Sequence, residues 1–215
     1  MTAELLALFV LIALPLIYWF PVRKRYRYWG ATDAEVERPM SGDAAVPHPT
    51  HDTTLAVTVD APPGDIWPLL VQMGYRRGGL YSYDWLDRLF GFLDAPSAER
   101  VLPEFQRLEV GDVIPVGRGD GFPVKAIEPL RSLALGGETD GFQWTWQFGL
   151  YPVDERRTRL VSRNRACFPR TVGSTLFMCV LEPAAFIMTR KMLLGLKRRA
   201  EAAAARSHDL AAHAA

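Results

Sequence analysis

The residues able to do chemistry are few, and they do not converge. Four histidines are present: His48, His51, His208 and His213. The first two fall in a linker-like stretch and the last two in an alanine-rich end, so pattern alone places none as a general base. Cys167 and Cys179 lack the paired spacing of a zinc site or a disulfide framework. No G-x-S-x-G elbow, phosphate-binding loop or dinucleotide fingerprint occurs. Gly117-Arg118-Gly119-Asp120-Gly121 reads as a turn. The sequence predicts no metal, no cofactor and no catalytic residue. Three polar groups remain. Asp84 and Asp87 lie in YSYDWLD and read as helix-start charges or as acids. Tyr81 and Tyr83 beside them are of a type that orients a ligand carbonyl. Arg163 shares a strand face with Arg159 and Arg165. That face reads as solvated outer sheet or as a cavity mouth, where Arg163 binds a carboxylate or phosphate. A buried Arg163 requires a partner, since an unpaired buried charge is very costly. Glu138, Asp84 or a ligand headgroup are the candidates.

The elements that must position these groups follow from periodicity. Thr53 to Asp60 alternates Leu55, Val57 and Val59 against Thr54, Ala56 and Thr58, the pattern of a half-buried strand. Pro62 and Pro63 open a helix carrying Ile66, Trp67, Leu69, Leu70 and Met73. A second short helix is predicted from Ser82 to Phe90, with Ser82 as its cap. Strands are then predicted at Val110 to Pro115, Phe122 to Glu128, Ser132 to Leu135, Phe142 to Val153 and Arg157 to Cys167. In the fifth of these six, Phe142, Trp144, Trp146, Phe148 and Leu150 share one face. A long helix starts at Pro183, with Ala185, Met188, Met192, Leu193, Leu196 and Ala200 as its apolar stripe. Ahead of all this, Thr32 to Glu35 has capping-box spacing, and Pro39, Gly42, Pro47 and Pro49 read as extended chain.

These blocks resemble the START-like (SRPBCC) superfamily, of the polyketide cyclase/dehydrase type. TTLAVTVDAPPGDIWPLLVQMG is similar to that family's first strand and helix. RRGGLYSYDWLD, TRLVSRNRA and FIMTRKMLLGLKRRAE are similar to its second-helix signature in a bacterial subset, its last strand and its final helix. WGATDAEVERPMSGD also fits that subset. The resemblance implies an α+β helix-grip fold, a curved antiparallel sheet wrapped around a long C-terminal helix, with a cavity between them. Its candidate lining is Trp144, Trp146 and Phe148 from the sheet, Met188, Met192 and Leu196 from the long helix, Tyr81, Tyr83 and Trp85 from the cover and Trp67 from the first helix, with Arg163 as polar anchor. The alternative for each aromatic is plain core.

Leu5 to Phe20 is an unbroken apolar run, LLALFVLIALPLIYWF, followed by Arg23, Lys24, Arg25 and Arg27. With its flanks it approaches the roughly 20 residues of a membrane-crossing helix. No basic residue precedes it and no small-x-small site follows, unlike a cleaved signal peptide. The charge asymmetry predicts a single-pass anchor, its N-terminus outside and the domain in the cytoplasm. A segment lying against the membrane or packed on the domain is the alternative. The expected organisation is an anchor at 1–22, a juxtamembrane basic segment and linker at 23–52, a START-like domain at 53–205 and a disordered tail at 206–215. Net charge over the 215 residues is +1, which argues against nucleic acid. The expected activity is non-catalytic binding of a hydrophobic small molecule or lipid at the cell membrane. A cyclase/dehydrase-like enzyme and an interaction module with a filled cavity are the alternatives. Oligomeric state is not legible.

Overall fold

The computed structural model describes Phe9 and residues 22–119, 121–139, 142–169 and 171–214. Apart from Phe9, the Leu5–Phe20 run lies outside the described residues. Among the described residues no helix is long and apolar enough to cross a membrane.

The chain begins with two short helices, α1 (Arg23–Arg27) and α2 (Asp33–Glu37). The expected capping box opens α2: the Thr32 hydroxyl accepts from the Glu35 amide, and the Glu35 carboxylate accepts from the Thr32 amide. A 3-10 turn at Asp43–Ala45 leads into β1 (His51–Val59). Next come α3 (Pro63–Val71) and α4 (Asp84–Leu89). The strands β2 (Val113–Pro115), β3 (Gly121–Glu128), β4 (Ser132–Thr139), β5 (Phe142–Pro152) and β6 (Thr158–Cys167) follow. The last element is α5 (Val172–Ala214). The six strands form one sheet in the order β1-β6-β5-β4-β3-β2, every pair antiparallel. Chain order therefore runs along the sheet except for β1, which closes against the last strand. A six-stranded antiparallel sheet with one long C-terminal helix fits the helix-grip architecture.

The sheet's two faces have different partners. On the inner face, Leu55, Val59, Leu133, Leu135, Phe148, Leu150 and Leu160 pack with Ile66 and Leu70 of α3 and with Met192, Leu193, Leu196 and Ala200 of α5. The C-terminal part of α5 is thus an amphipathic helix that buries its stripe in the sheet. At Gly195 this helix is crossed by the loop that carries Tyr81. A Cβ there would sit 2.2 Å from the Tyr81 carbonyl oxygen, so only glycine lets the loop cross the helix.

Several boundaries differ from the sequence reading: α4 opens at Asp84 with Tyr83 rather than Ser82 at its cap, β2 starts at Val113 rather than Val110, and four further differences bear on the site. First, α5 starts at Val172 rather than at Pro183, which lies inside it. Thr171 opens the helix, its hydroxyl accepting from the Ser174 amide. A proline at N1 and one inside a helix look alike in sequence, and tertiary packing decides. Second, α5 continues to Ala214, through the segment expected as a disordered tail. Third, β4 runs past Gly136 and Gly137, expected as its end, to Thr139. Fourth, the segment 23–52 is not an extended linker. Its middle, from Thr32 to Ala45, packs over the outer face of the sheet, where Gly42 donates its amide to Gln147 of β5 at 2.8 Å, while Arg23 and Tyr26 reach Glu182 and His51 begins β1. Gly195→Ala should destabilise the fold by about 1–3 kcal/mol or more through overpacking, read as a lower denaturant midpoint. An unchanged midpoint would refute the close crossing.

Candidate functional site

Between the inner face and the first half of α5 lies a cavity of about 790 Å³. That is within the usual range for small-molecule sites, roughly 300–1,000 Å³. Its floor is the first half of β5, the second half of β6 and the start of β1. Phe142, Trp144 and Trp146 come from β5, Asn164 and Ala166 from β6, and His51, Thr53 and Leu55 from β1. Phe122 of β3 and Phe168 add aromatic walls, and Met178, Leu181, Glu182, Ala185, Phe186 and Thr189 of α5 form the roof. The aromatics make a continuous cluster: Phe122 lies 4.6 Å from Trp144 and 5.7 Å from Trp146 between ring centroids, and Phe142 lies 4.8 Å from Phe168. Gly137 makes room for this, since a Cβ there would stand 3.1 Å from the Trp144 indole nitrogen. The Trp146 N–H donates to the Ser162 hydroxyl at 3.0 Å. Lys125, Glu138 and Arg165 are further charged residues of its lining.

One wall carries a buried ion cluster. The Glu182 carboxylate is 2% exposed and accepts from Arg23 Nε at 2.6 Å and from the Tyr26 hydroxyl at 3.0 Å. His51 Nδ1 lies 2.7 Å from its Oε1. Burial alone would raise the Glu182 pKa, but the hydrogen bonds from Arg23 and His51 outweigh it and hold the carboxyl at about 2. Three elements far apart in sequence, α1, β1 and α5, therefore meet at one carboxylate. His51, expected in the linker and away from the cavity, lines it. Neither His51 nor Glu182 carries a local signature. A histidine at the start of a strand and a glutamate before a proline show nothing until the fold brings them together.

The ten sequence-predicted site residues divide. Trp144 and Trp146 line the cavity. Phe148 and Met192 are solid core, with 0% and 2% exposure. Trp67 packs against that core. Met188 is half-buried beside Ser82, its sulfur 3.8 Å from the hydroxyl. Tyr83 lies under the Lys191 ammonium, 5.4 Å from the ring centroid. Trp85 is 67% exposed on α4 and is not among the residues that line this cavity. Tyr81 is buried, and its hydroxyl accepts from Gln72 at 2.8 Å. Burial pushes its pKa up to about 12, so the phenol stays neutral. Asp84 accepts from the Ser97 amide and hydroxyl, which fixes a loop.

Arg163 is not a pocket anchor. Strand alternation sends it to the outer face, away from Ser162 and Asn164. The guanidinium is 2% exposed beneath α2 and the 3-10 turn. Nε donates to Thr54 Oγ1, Nη1 to Asp43 and the Arg38 carbonyl, and Nη2 to the carbonyls of Glu35 and Val36, all at 2.7–3.1 Å. Its acid partner is Asp43, not Glu138, Asp84 or a headgroup. The solvated-face reading fails with it: Arg159 pairs with Glu35, and Arg165 lies 3.3 Å from Asp43.

No protein-family model and no curated protein sequence matches the chain. Solved structures similar to it include the Zhui aromatase/cyclase of a Streptomyces species. That match has 18% identity and a TM-score of 0.41, covering 70% of this chain and 93% of that one. CalU16 of Micromonospora echinospora has 18% identity and a TM-score of 0.34, covering 73% and 88%. The Aha1 dimer of Colwellia psychrerythraea has 16% identity and a TM-score of 0.38, covering 66% and 94%. At that level of similarity nothing about activity transfers from them.

Two outcomes follow from this geometry. Arg163→Gln should cost about 3–5 kcal/mol of stability, the range for breaking a buried ion pair, and leave ligand affinity per folded molecule unchanged. A stability change under about 0.5 kcal/mol would overturn its role. Glu182 has a folded pKa below its unfolded value, so its contribution is complete above about pH 4.5 and is lost as pH falls toward about 2. The loss should be on the order of 2–3 kcal/mol. Glu182→Gln should remove that pH dependence from an acid-unfolding series; an identical slope in both proteins would refute the cluster's role.

Proposed function

We propose that this chain binds a hydrophobic small molecule or lipid, without transforming it, in the cavity between β5, β6 and the first half of α5. The observation that carries the reading is the aromatic wall of Phe122, Phe142, Trp144, Trp146 and Phe168 around about 790 Å³. Apolar walls with a few fixed polar groups are what such a ligand requires. The START-like resemblance supports it, since that superfamily includes lipid-transfer proteins. The proposal includes a membrane setting, with Leu5–Phe20 as anchor and the domain in the cytoplasm. A reporter fused after Ala215 should then be active only in the cytoplasm, and activity outside would overturn the orientation.

The cavity reading is tested by native mass spectrometry of the detergent-purified chain, followed by titration with a pyrene-labelled fatty acid. A co-purifying apolar adduct and saturable binding are expected. Trp144→Ala should weaken that binding by about 1.5–3 kcal/mol, the worth of a buried large side chain. A reproducibly empty protein that binds no probe would overturn the reading and leave an interaction module.

The His51–Glu182 pair favours a second reading, a cyclase/dehydrase-like enzyme. Among the described residues His51 Nε2 has no protein partner, and the ring lines the cavity. An imidazole held by a carboxylate is the arrangement of a general acid-base group. Loss of ring closure of a poly-keto thioester in His51→Gln, with apolar binding intact, would favour the enzyme. Absence of any turnover in the parent chain would remove it.

A further inference from the structure

Three neighbouring polar side chains on the cavity floor are left with hydrogen-bonding capacity unused. His51 and Thr53 lie two residues apart on β1, so both face inward with Leu55. In the strand register Thr53 stands opposite Asn164 of β6, and His51 opposite Ala166. Opposed side chains lie about 5 Å apart, and successive ones on the same face of a strand about 7 Å. His51 bonds through Nδ1 to Glu182. Among the described residues, His51 Nε2, the Thr53 hydroxyl and the Asn164 amide have no protein hydrogen-bond partner, and all three residues line the cavity. What surrounds them is apolar: Ala166, Trp146, Phe186 and Phe168, the last edge-on to the imidazole at 6.4 Å between ring centroids. Polar groups on such a floor are costly unless something in the cavity bonds to them.

The protonation pattern indicates what that something is. The Glu182 carboxyl is held at about 2, so it is ionised and its oxygens only accept. The proton between Glu182 and His51 therefore sits on Nδ1. Arg23 already balances the carboxylate charge, so the ring is not required to carry one. Nε2 is then a bare acceptor, and a carboxylate on one ring nitrogen raises the basicity of the other. Thr53 and Asn164 beside it can donate. An acceptor flanked by donors matches a group that both gives and takes a hydrogen bond. A hydroxyl does this. An ether or ketone has no proton for Nε2, and a carboxylate would set its charge against the Nε2 lone pair.

We infer that the cavity selects an apolar molecule bearing a hydroxyl, which donates to His51 Nε2 and accepts from Thr53 or Asn164. The inference rests on the cavity-binding reading above and adds the headgroup to it. No bond forms or breaks; His51 determines which ligand is held. The skeleton of that ligand lies along Trp146 and Trp144, which pair with Asn164 and Ala166 across the sheet.

The test titrates the full chain in detergent micelles at about pH 8, above the ordinary range of imidazole. The probes are pyrene-labelled chains of equal length ending in a primary alcohol, its methyl ether or a carboxylic acid. The alcohol should bind about three- to tenfold tighter than the ether, the range for one hydrogen bond, and tighter than the acid. His51→Phe keeps an aromatic ring at the position, and Arg23 and Tyr26 still hold Glu182. In that variant the alcohol should fall to the level of the ether, with the ether unchanged. Proton–nitrogen correlation spectra of the histidine-labelled parent should show His51 protonated at Nδ1 only, with Nε2 moved by the alcohol and not by the ether. Equal affinity for alcohol and ether in the parent overturns the inference and leaves the cavity reading standing. So does an alcohol preference that persists in His51→Phe. An acid that binds tighter than the alcohol, and loses that advantage in His51→Phe, means an imidazolium holding an anion, and also overturns it. A parent chain that binds none of the probes overturns the cavity reading as well.

Discussion

A guanidinium buried under a protein surface must find an acceptor for each of its donors, and Arg163 finds them on a segment well over a hundred residues away in sequence. Three are the carbonyls of Glu35, Val36 and Arg38, at the C-terminal end of α2. A helix end leaves carbonyls without intrahelical partners, and a cation is their natural complement. Asp43 and Thr54 complete the shell. The chain from Thr32 to Asp43 is therefore fixed against β6 and β1. Beside it Arg159 clamps Glu35 and the Gly30 carbonyl. These bonds set the direction in which α1 leaves the sheet, and with it the place where Arg23 meets Glu182. The polar outer face thus determines geometry on the inner one.

The inner face divides along the strands of β5 and β6. At one end Phe148 and Leu150 pair with Ser162 and Leu160, and all are buried under the C-terminal half of α5. At the other, Trp144 and Trp146 pair with Ala166 and Asn164, and the cavity opens above them. The difference lies in the helix. Its later turns present Met192, Leu193, Leu196 and Ala200 to the sheet and fill the space. Over the cavity it presents Met178, Leu181, Ala185 and Phe186, and the sheet offers small residues such as Gly137 and Ala166 opposite. One helix across one sheet yields solid core where it seats closely and a chamber where it does not.

The strands and the capping box were legible because their signals are local: a period of two, and a spacing of three residues. All six expected strands form, though β2 starts at Val113 and β4 runs on to Thr139, and the tryptophans of β5 face inward as their parity requires. The helix start at Val172 was not legible, because Pro183 is a stronger local mark than Thr171. Half the cavity was also hidden. His51, Glu182, Phe122 and Phe168 have no shared pattern, and only the antiparallel closure of β1 on β6 and the return of α5 assemble them. Arg163 shows the same limit. Its parity with Arg159 and Arg165 gave a common face correctly, but not which face was covered, or by what. The segment 23–52 looked like a linker because part of its role is carried by backbone carbonyls, and the partners of Arg23, Glu35 and Asp43 lie more than a hundred residues away.

The cavity's charge balance constrains its occupant. Glu182 is the buried acid of the wall, and Arg23, Tyr26 and His51 already satisfy it. Its carboxylate has no need of a cationic ligand, and the charge it would project is neutralised within the protein. The Trp146 N–H is likewise directed to Ser162 rather than into the chamber. What remains toward the ligand is aromatic and aliphatic surface, with His51 Nε2, Asn164, Thr53 and Thr189 as polar groups and Lys125, Glu138 and Arg165 as the further charged residues of the lining. Desolvating a charged group against the apolar wall would cost more than these contacts return. A ligand that fits this chamber places its apolar body against the tryptophans and directs any charge to Lys125, Glu138 or Arg165. The orientation is set by where the protein has left its polar atoms unfilled.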